Sequence, residues 1–194
     1  MVLYFLVALA ALLLFIGFLV SQKLLYIRLR SMDKILDYES QNHNFDKAWF
    51  DGLDKERVLV QSPYGYTLSG CFIPGENPTG KTVIFCHGVT VNRICEMKYA
   101  RIFLERGWNV FLYDHRRHGE SGGTTTTFGY YEKYDLKAVV EYVAGRLSPD
   151  AVIGLHGESM GAAVILQYGA LEDRVDFFIA DCAYSSLKQQ LSYL

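Results

Sequence analysis

From residue 57 onward, apolar runs alternate with helical patterns, and this alternation restricts the fold more than any other feature of the chain. Residues 57–75, RVLVQSPYGYTLSGCFIPG, read as two strands about a Pro63-Tyr64-Gly65 turn. Residues 81–88, KTVIFCHG, form a continuous apolar run ending in glycine, the pattern of a buried strand. Residues 92–107 have helical spacing and a glycine stop, 109–116 read as a strand, and 130–147 as a helix. Residues 150–157 are again a strand, 162–171 a helix and 175–184 a strand. A last helix opens at 185, where Ser185 or Ser186 is placed to cap it. Such an order predicts an α/β fold with a mostly parallel sheet and helices on both faces. Functional groups in such sheets gather at the carboxyl ends of the strands. His87, Gly88, Asp114, Ser159 and Asp181 fall there.

Residues 2–20, VLYFLVALAALLLFIGFLV, hold no charged side chain. That length of helix matches a bilayer core of roughly 30 Å. A cleavable signal peptide would have a basic start, a shorter apolar core and a small-residue cleavage site. None of these is present, so residues 1–22 are expected to be an uncleaved transmembrane helix. Lys23, Arg28, Arg30 and Lys34 follow the span. The positive-inside rule then predicts a single-pass protein of the cell membrane with its larger part in the cytoplasm. Residues 23–56 read as a juxtamembrane connector. Its stretch LLYIRLRSMDKILDY suits an amphipathic helix on the membrane surface. His43 reads as a surface residue.

The remaining residues, 57–194, suffice for one core of ordinary size, as does the 51% hydrophobic composition of the chain. The net charge of −2 excludes a nucleic-acid binder, which needs a basic face. Cys71, Cys86, Cys95 and Cys182 lie far apart and are expected to be buried free thiols in a reducing compartment.

Between an apolar strand and an apolar helix stands Gly157-Glu158-Ser159-Met160-Gly161, a G-x-S-x-G pattern. In that context the serine sits on a sharp turn that lifts its oxygen clear, and the glycines leave room for strand and helix to press together. Ser159 is therefore the expected nucleophile. Acyl transfer also needs donors for the oxyanion. The backbone N–H of Met160 is one candidate, and that of Val89, in the loop after the third strand, is the other. His87 is expected to shape this loop through hydrogen bonds. Asp114 ends a strand and can hold the following Gly-rich turn through backbone N–H groups. Asp114, His115 and His118 lack a further clustered ligand, so no metal is expected. A dinucleotide fingerprint needs its middle glycine where Ser159 stands. No cofactor is expected.

Four motifs in order, HGVTVN, YDHRRHGESGG, GESMGAA and DCAYSS, carry a resemblance over residues 57–194. The chain resembles the α/β-hydrolase superfamily, and within it the membrane-anchored bacterial branch related to serine aminopeptidases, monoacylglycerol lipases and Bem46-like proteins. The resemblance implies a serine hydrolase of ester, thioester or amide bonds. In the superfamily the triad runs serine, then acid, then histidine along the chain. Here the histidines stand at 43, 87, 115, 118 and 156, all before Ser159. The triad acid and histidine are accordingly expected beyond Leu194. Asp181 is a further candidate acid, since some members place the acid at that strand. His156, in the strand leading to the serine, is expected to serve packing.

If the chain ended at Leu194, its sixth strand would leave an apolar edge, FFIA, unpaired. The fold thus reads as incomplete after the sixth strand, the front part of a hydrolase. The alternative is a non-catalytic remnant or interaction module whose open edge meets a partner. Specificity in the superfamily comes largely from a cap inserted after this strand. A small-molecule or lipid and acyl substrate is suggested by the nearness of the membrane alone.

Overall fold

The computed structural model describes residues 1–42, 45–76 and 80–191; the expectation for His43 lies outside them. The first element, α1 (Val2–Leu25), has 24 residues and buries none of them. It is long and apolar enough to cross a membrane, extending about 36 Å at the rise of an α-helix. Two shorter helices follow, α2 (Met32–Gln41) and α3 (Lys47–Gly52).

The connector differs from its expected form. The helix breaks after Leu25 and restarts at Met32, with Ser31 extended at φ −70° and ψ 156°. Helix α2 turns its apolar face onto the rest of the protein. Ile35 and Glu39 are buried, and Ile35 packs in one cluster with Phe45, Ile94, Cys95 and Met97. The stretch before α2 is also tied down, since Arg30 N–H donates to Thr90 O at 2.9 Å.

Six strands form one sheet, in the order β1-β2-β4-β3-β5-β6. They are β1 (Glu56–Gln61), β2 (Thr67–Ile73), β3 (Thr82–Cys86), β4 (Asn109–Tyr113), β5 (Ile153–Glu158) and β6 (Phe177–Asp181). The pairings β1–β2 and β2–β4 are antiparallel, while β3–β4, β3–β5 and β5–β6 are parallel. Gly65, at φ 82°, closes the first hairpin.

Helices α4 (Met97–Leu104), α5 (Glu132–Ala144) and α6 (Met160–Gly169) cover the sheet. All five residues of β3 and of β4 are buried, which explains their unbroken apolar runs. The strand pleat divides them between two cores. Ile84 and Cys86 join the cluster under α5 and α6, whereas Val83 and Phe85 join the one under α4 and α2.

Helix boundaries shift where side chains cap early. The pattern from residue 92 opens as a 3-10 turn over Arg93–Glu96, because the Asn92 side chain accepts from Ile94 N–H. Helix α6 starts at Met160, immediately after the serine. A final helix, α7 (Leu187–Leu191), is capped by Ser186, whose Oγ accepts from Gln189 N–H at 3.1 Å.

One cysteine expectation fails. Cys86 and Cys95 are buried and Cys71 is half-buried, but Cys182 is exposed, and all four are free. Cys182 follows β6, which among the described residues pairs with β5 alone, with Phe178 and Ile179 exposed beside it. An apolar run indicates burial only when something covers both faces.

Candidate active site

Ser159 ends the β5 side of a strand-to-helix junction with φ 55° and ψ −110°. A non-glycine residue adopts that backbone only when its surroundings force it. The forcing is visible on both sides. Ser159 N–H donates to Asp181 O at 2.8 Å, and Ser159 O accepts from Ala163 N–H at 3.1 Å. A Cβ on Gly157 would stand 2.5 Å from the carbonyl of Gly161, and one on Gly161 would overlap the carbonyl of Cys86. Only glycine at both positions lets α6 approach β5 and β3 closely enough to make the turn.

The Ser159 side chain makes no capping bond and is only half-buried. It opens on a cavity of about 200 Å³ that also has Val89, Met160, Phe128, Cys182, Tyr184 and Leu187 in its wall. Ser159, Val89 and Met160 thus share one cavity. The amides of Val89 and Met160 donate no hydrogen bond among the described residues. Met160 N–H is the first of the orphan donors at the start of α6. Strain concentrates around this cavity: Thr90, Phe128, Ser159 and Cys182 all carry positive φ.

Three buried histidines hold the loop that carries Val89. The rings of His115 and His118 pack on that of His87 at 4.6 and 5.1 Å. His115 N–H donates to His87 Nε2 at 2.9 Å, so His87 Nδ1 carries the proton and donates to Gly88 O at 2.7 Å. Thr90 N–H donates to His118 Nε2 at 3.3 Å, and His118 Nδ1 donates to Arg116 O at 2.8 Å. Both linkages require neutral imidazoles. Burial lowers all three pKa values, that of His87 well below its ordinary value and that of His115 to about 3. These histidines shape the loop, as expected of His87; among the described residues none of their ring nitrogens is hydrogen-bonded to Ser159.

Asp114 ties the same loops from beneath. Fully buried, it accepts from Arg93 N–H and from Glu120 N–H at 2.9 Å each, and it pairs with the Arg93 guanidinium. Burial raises its pKa, opposed by Arg93 and by the two amides. The Arg93 guanidinium also reaches Glu120 at 2.8 Å.

Asp181 reaches Ser159 through its backbone only. Its carboxylate accepts from Tyr99 OH at 3.0 Å and Cys182 Sγ at 3.1 Å, and the Cys182 and then the Tyr99 bond lower its pKa. It is absent from the serine's cavity wall. His156 lies on the opposite face of the sheet from α6, with its ring 5.0 Å from Phe85 and 4.5 Å from Tyr99. Its Nδ1 is 3.1 Å from Glu96 Oε2. Glu96 is buried, and burial raises its pKa to about 6. Among the described residues no histidine is bonded to Ser159 or to Asp181.

Sequence reasoning missed Leu24 and Ile27, which also line the cavity. A signal existed: after Ser21-Gln22-Lys23 the chain becomes apolar again at Leu24-Leu25-Tyr26-Ile27. It missed Phe128 and Tyr184 as well, where a loop and a strand exit give no periodicity to read.

Comparison with known proteins agrees with this geometry. The family described as "Serine aminopeptidase, S33" matches residues 77–191, more than half of the chain. YqkD of Bacillus subtilis (strain 168), an uncharacterized protein, is 41% identical over 180 residues, 92% of this chain and 59% of its own. YfhR of Escherichia coli (strain K12), also uncharacterized, is 29% identical over 144 residues, 70% of this chain and 50% of its own. Among solved structures, the Pyrococcus furiosus esterase Pf2001 superposes with a TM-score of 0.66 at 32% identity, over 77% of this chain and 61% of its own. XC6422 of Xanthomonas campestris, an α/β serine hydrolase without lid, superposes with a TM-score of 0.54 at 28% identity, over 61% of this chain and 56% of its own. The chain therefore spans between half and about three fifths of the length of these relatives. The strand order and these likenesses agree, and the chain belongs to the serine aminopeptidase S33 family of α/β-hydrolases.

Proposed function

We propose that the protein is a serine hydrolase that cleaves an ester, thioester or amide through an acyl-enzyme on Ser159. The observation that carries this reading is the strained Ser159 turn, which opens on a cavity beside two amides that have no partner among the described residues. The Ser159 Oγ–acyl bond forms as the C–O, C–S or C–N bond of the substrate breaks. The serine proton passes to a base and then to the leaving group, and water reverses the sequence to free the acid. Val89 and Met160 N–H hold the developing oxyanion. The base and the acid that orients it are assigned to residues beyond Leu194. Asp181 contributes through its carbonyl, while its carboxylate holds Tyr99. The esterase Pf2001, a relative, favours an ester substrate. We further assign α1 to an uncleaved anchor with the catalytic part in the cytoplasm; the basic residues that follow it support that orientation.

The test is hydrolysis of p-nitrophenyl butyrate by the full-length protein. Ser159→Ala is expected to lower kcat by at least about 10³-fold, the scale of losing a nucleophile. A variant that retains its rate would refute the assignment.

A further inference from the structure

The far wall of the Ser159 cavity comes from the apolar anchor itself. Leu24, in the last turn of α1, and Ile27, just after it, face Val89, Phe128, Met160, Tyr184 and Leu187. The contact is fixed by hydrogen bonds to the loops around the cavity. Thr126 N–H donates to Leu25 O at 2.9 Å, Arg117 Nη1 to Ile27 O at 2.7 Å, and Arg30 N–H to Thr90 O at 2.9 Å. Thr126 and Thr90 stand two residues from Phe128 and one from Val89. The helix end is thus built into the site rather than joined to it by a free linker.

Depth follows from the charge pattern. The uncharged apolar run ends at Val20 and Lys23 is the first charged side chain after it, so the edge of the hydrocarbon falls near Ser21 and Gln22. Lys23, Tyr26, Arg28 and Arg30 are exposed on the segment that follows, as suits the headgroup layer, whereas Leu24 and Ile27 are half-buried against the cavity. The mouth of the site therefore lies at the level where the ester groups of lipids lie. Its walls are apolar apart from Ser159, Cys182, the Tyr184 hydroxyl and Gln190.

We propose that the last turn of the anchor forms part of the substrate-binding wall, with Leu24 and Ile27 contacting the acyl chain of an ester drawn from the membrane. This inference rests on the serine-hydrolase reading for its chemistry but not for its geometry. Leu24 and Ile27 set chain-length preference, and α1 is a component of the site as well as a tether.

The test uses the full-length protein in phosphatidylcholine vesicles containing a palmitic acid that bears a diazirine near its chain end. After irradiation, adducts are located by peptide mass spectrometry. Adducts on Leu24–Ile27 together with Val89, Phe128 or Leu187 are the expected result. Adducts confined to residues 2–20 would overturn the proposal, because they report lipid around the anchor only. In the same vesicles, the Leu24→Ser, Ile27→Ser double variant is expected to lower the ratio of kcat/KM for p-nitrophenyl decanoate over acetate at least 10-fold. An unchanged ratio would also overturn it. A protein that cleaves no ester yet forms the adducts at Leu24 and Val89 keeps the wall and loses the hydrolase reading.

Discussion

Replacing Asp114 should cost more stability than replacing any surface acid of the chain. Its carboxylate is fully buried and accepts two backbone N–H bonds at 2.9 Å, from the loop before α4 and from the turn after β4. It also pairs with Arg93. Each hydrogen bond to a charged group contributes about 1.5–3 kcal/mol, and breaking a buried ion pair costs about 3–5 kcal/mol. These contributions overlap, and Arg93 retains Glu120 at 2.8 Å. Asp114→Ala is therefore expected to lose about 3–5 kcal/mol, a large share of a typical folding free energy of about 5–15 kcal/mol. Asp114→Asn keeps one acceptor and turns an amide N–H₂ against the other donors, for a loss of about 1.5–3 kcal/mol. Urea denaturation of the full-length protein in detergent micelles, followed by the emission of Trp49 and Trp108, reads both values. Equal slopes against denaturant would assign the change to stability. If Asp114→Ala lies within about 1 kcal/mol of the parent at an unchanged slope, the tie between the loops is not what holds them.

Further outcomes follow from the same geometry. Gly161→Ala places a methyl on the carbonyl of Cys86, and is expected to cost at least about 3 kcal/mol, the upper range for overpacking. Gly88→Ala meets nothing nearer than 3.6 Å and should stay within about 1 kcal/mol of the parent; a reversed order in thermal unfolding would contradict the packing account. The histidines titrate near 6.5 when unfolded and lower when folded, His115 at about 3. Their neutral forms are favoured by folding, so the stability they contribute is complete above pH 6.5 and is lost as the pH falls toward the folded values. Glu96 and Asp135, raised to about 6 by burial, act in the opposite sense below that pH. His115→Asn should reduce the acid loss by about 1.2 kcal/mol between about pH 6 and 5; an unchanged slope in denaturation at those pH values would refute the assignment.

Much of the fold was legible because buried parallel strands and their helices leave distinct periods in the sequence. The runs at 81–88 and 109–116 became the two central strands, β3 and β4. The serine turn was legible because Gly157 and Gly161 are demanded by contacts that no other residue allows. Long-range polar pairs were not legible. Arg93 with Asp114, His156 with Glu96, and Tyr66 with Asp135 each join residues 21 or more positions apart, and no local pattern marks them. The break in the connector between Leu25 and Met32 was not legible for a similar reason. An amphipathic stripe records only that a helix has an apolar face, and what covers that face is decided by tertiary packing. Cys182 shows the converse, an apolar context left uncovered at a sheet edge.

The central claim is that Ser159 is the reacting atom's bearer. Its most direct test is to treat the full-length protein with a fluorophosphonate and locate the adduct by peptide mass spectrometry. One phosphonyl group is expected, on the peptide containing Ser159, at Ser159 itself. An adduct on another serine or tyrosine, with Ser159 unmodified, would contradict it.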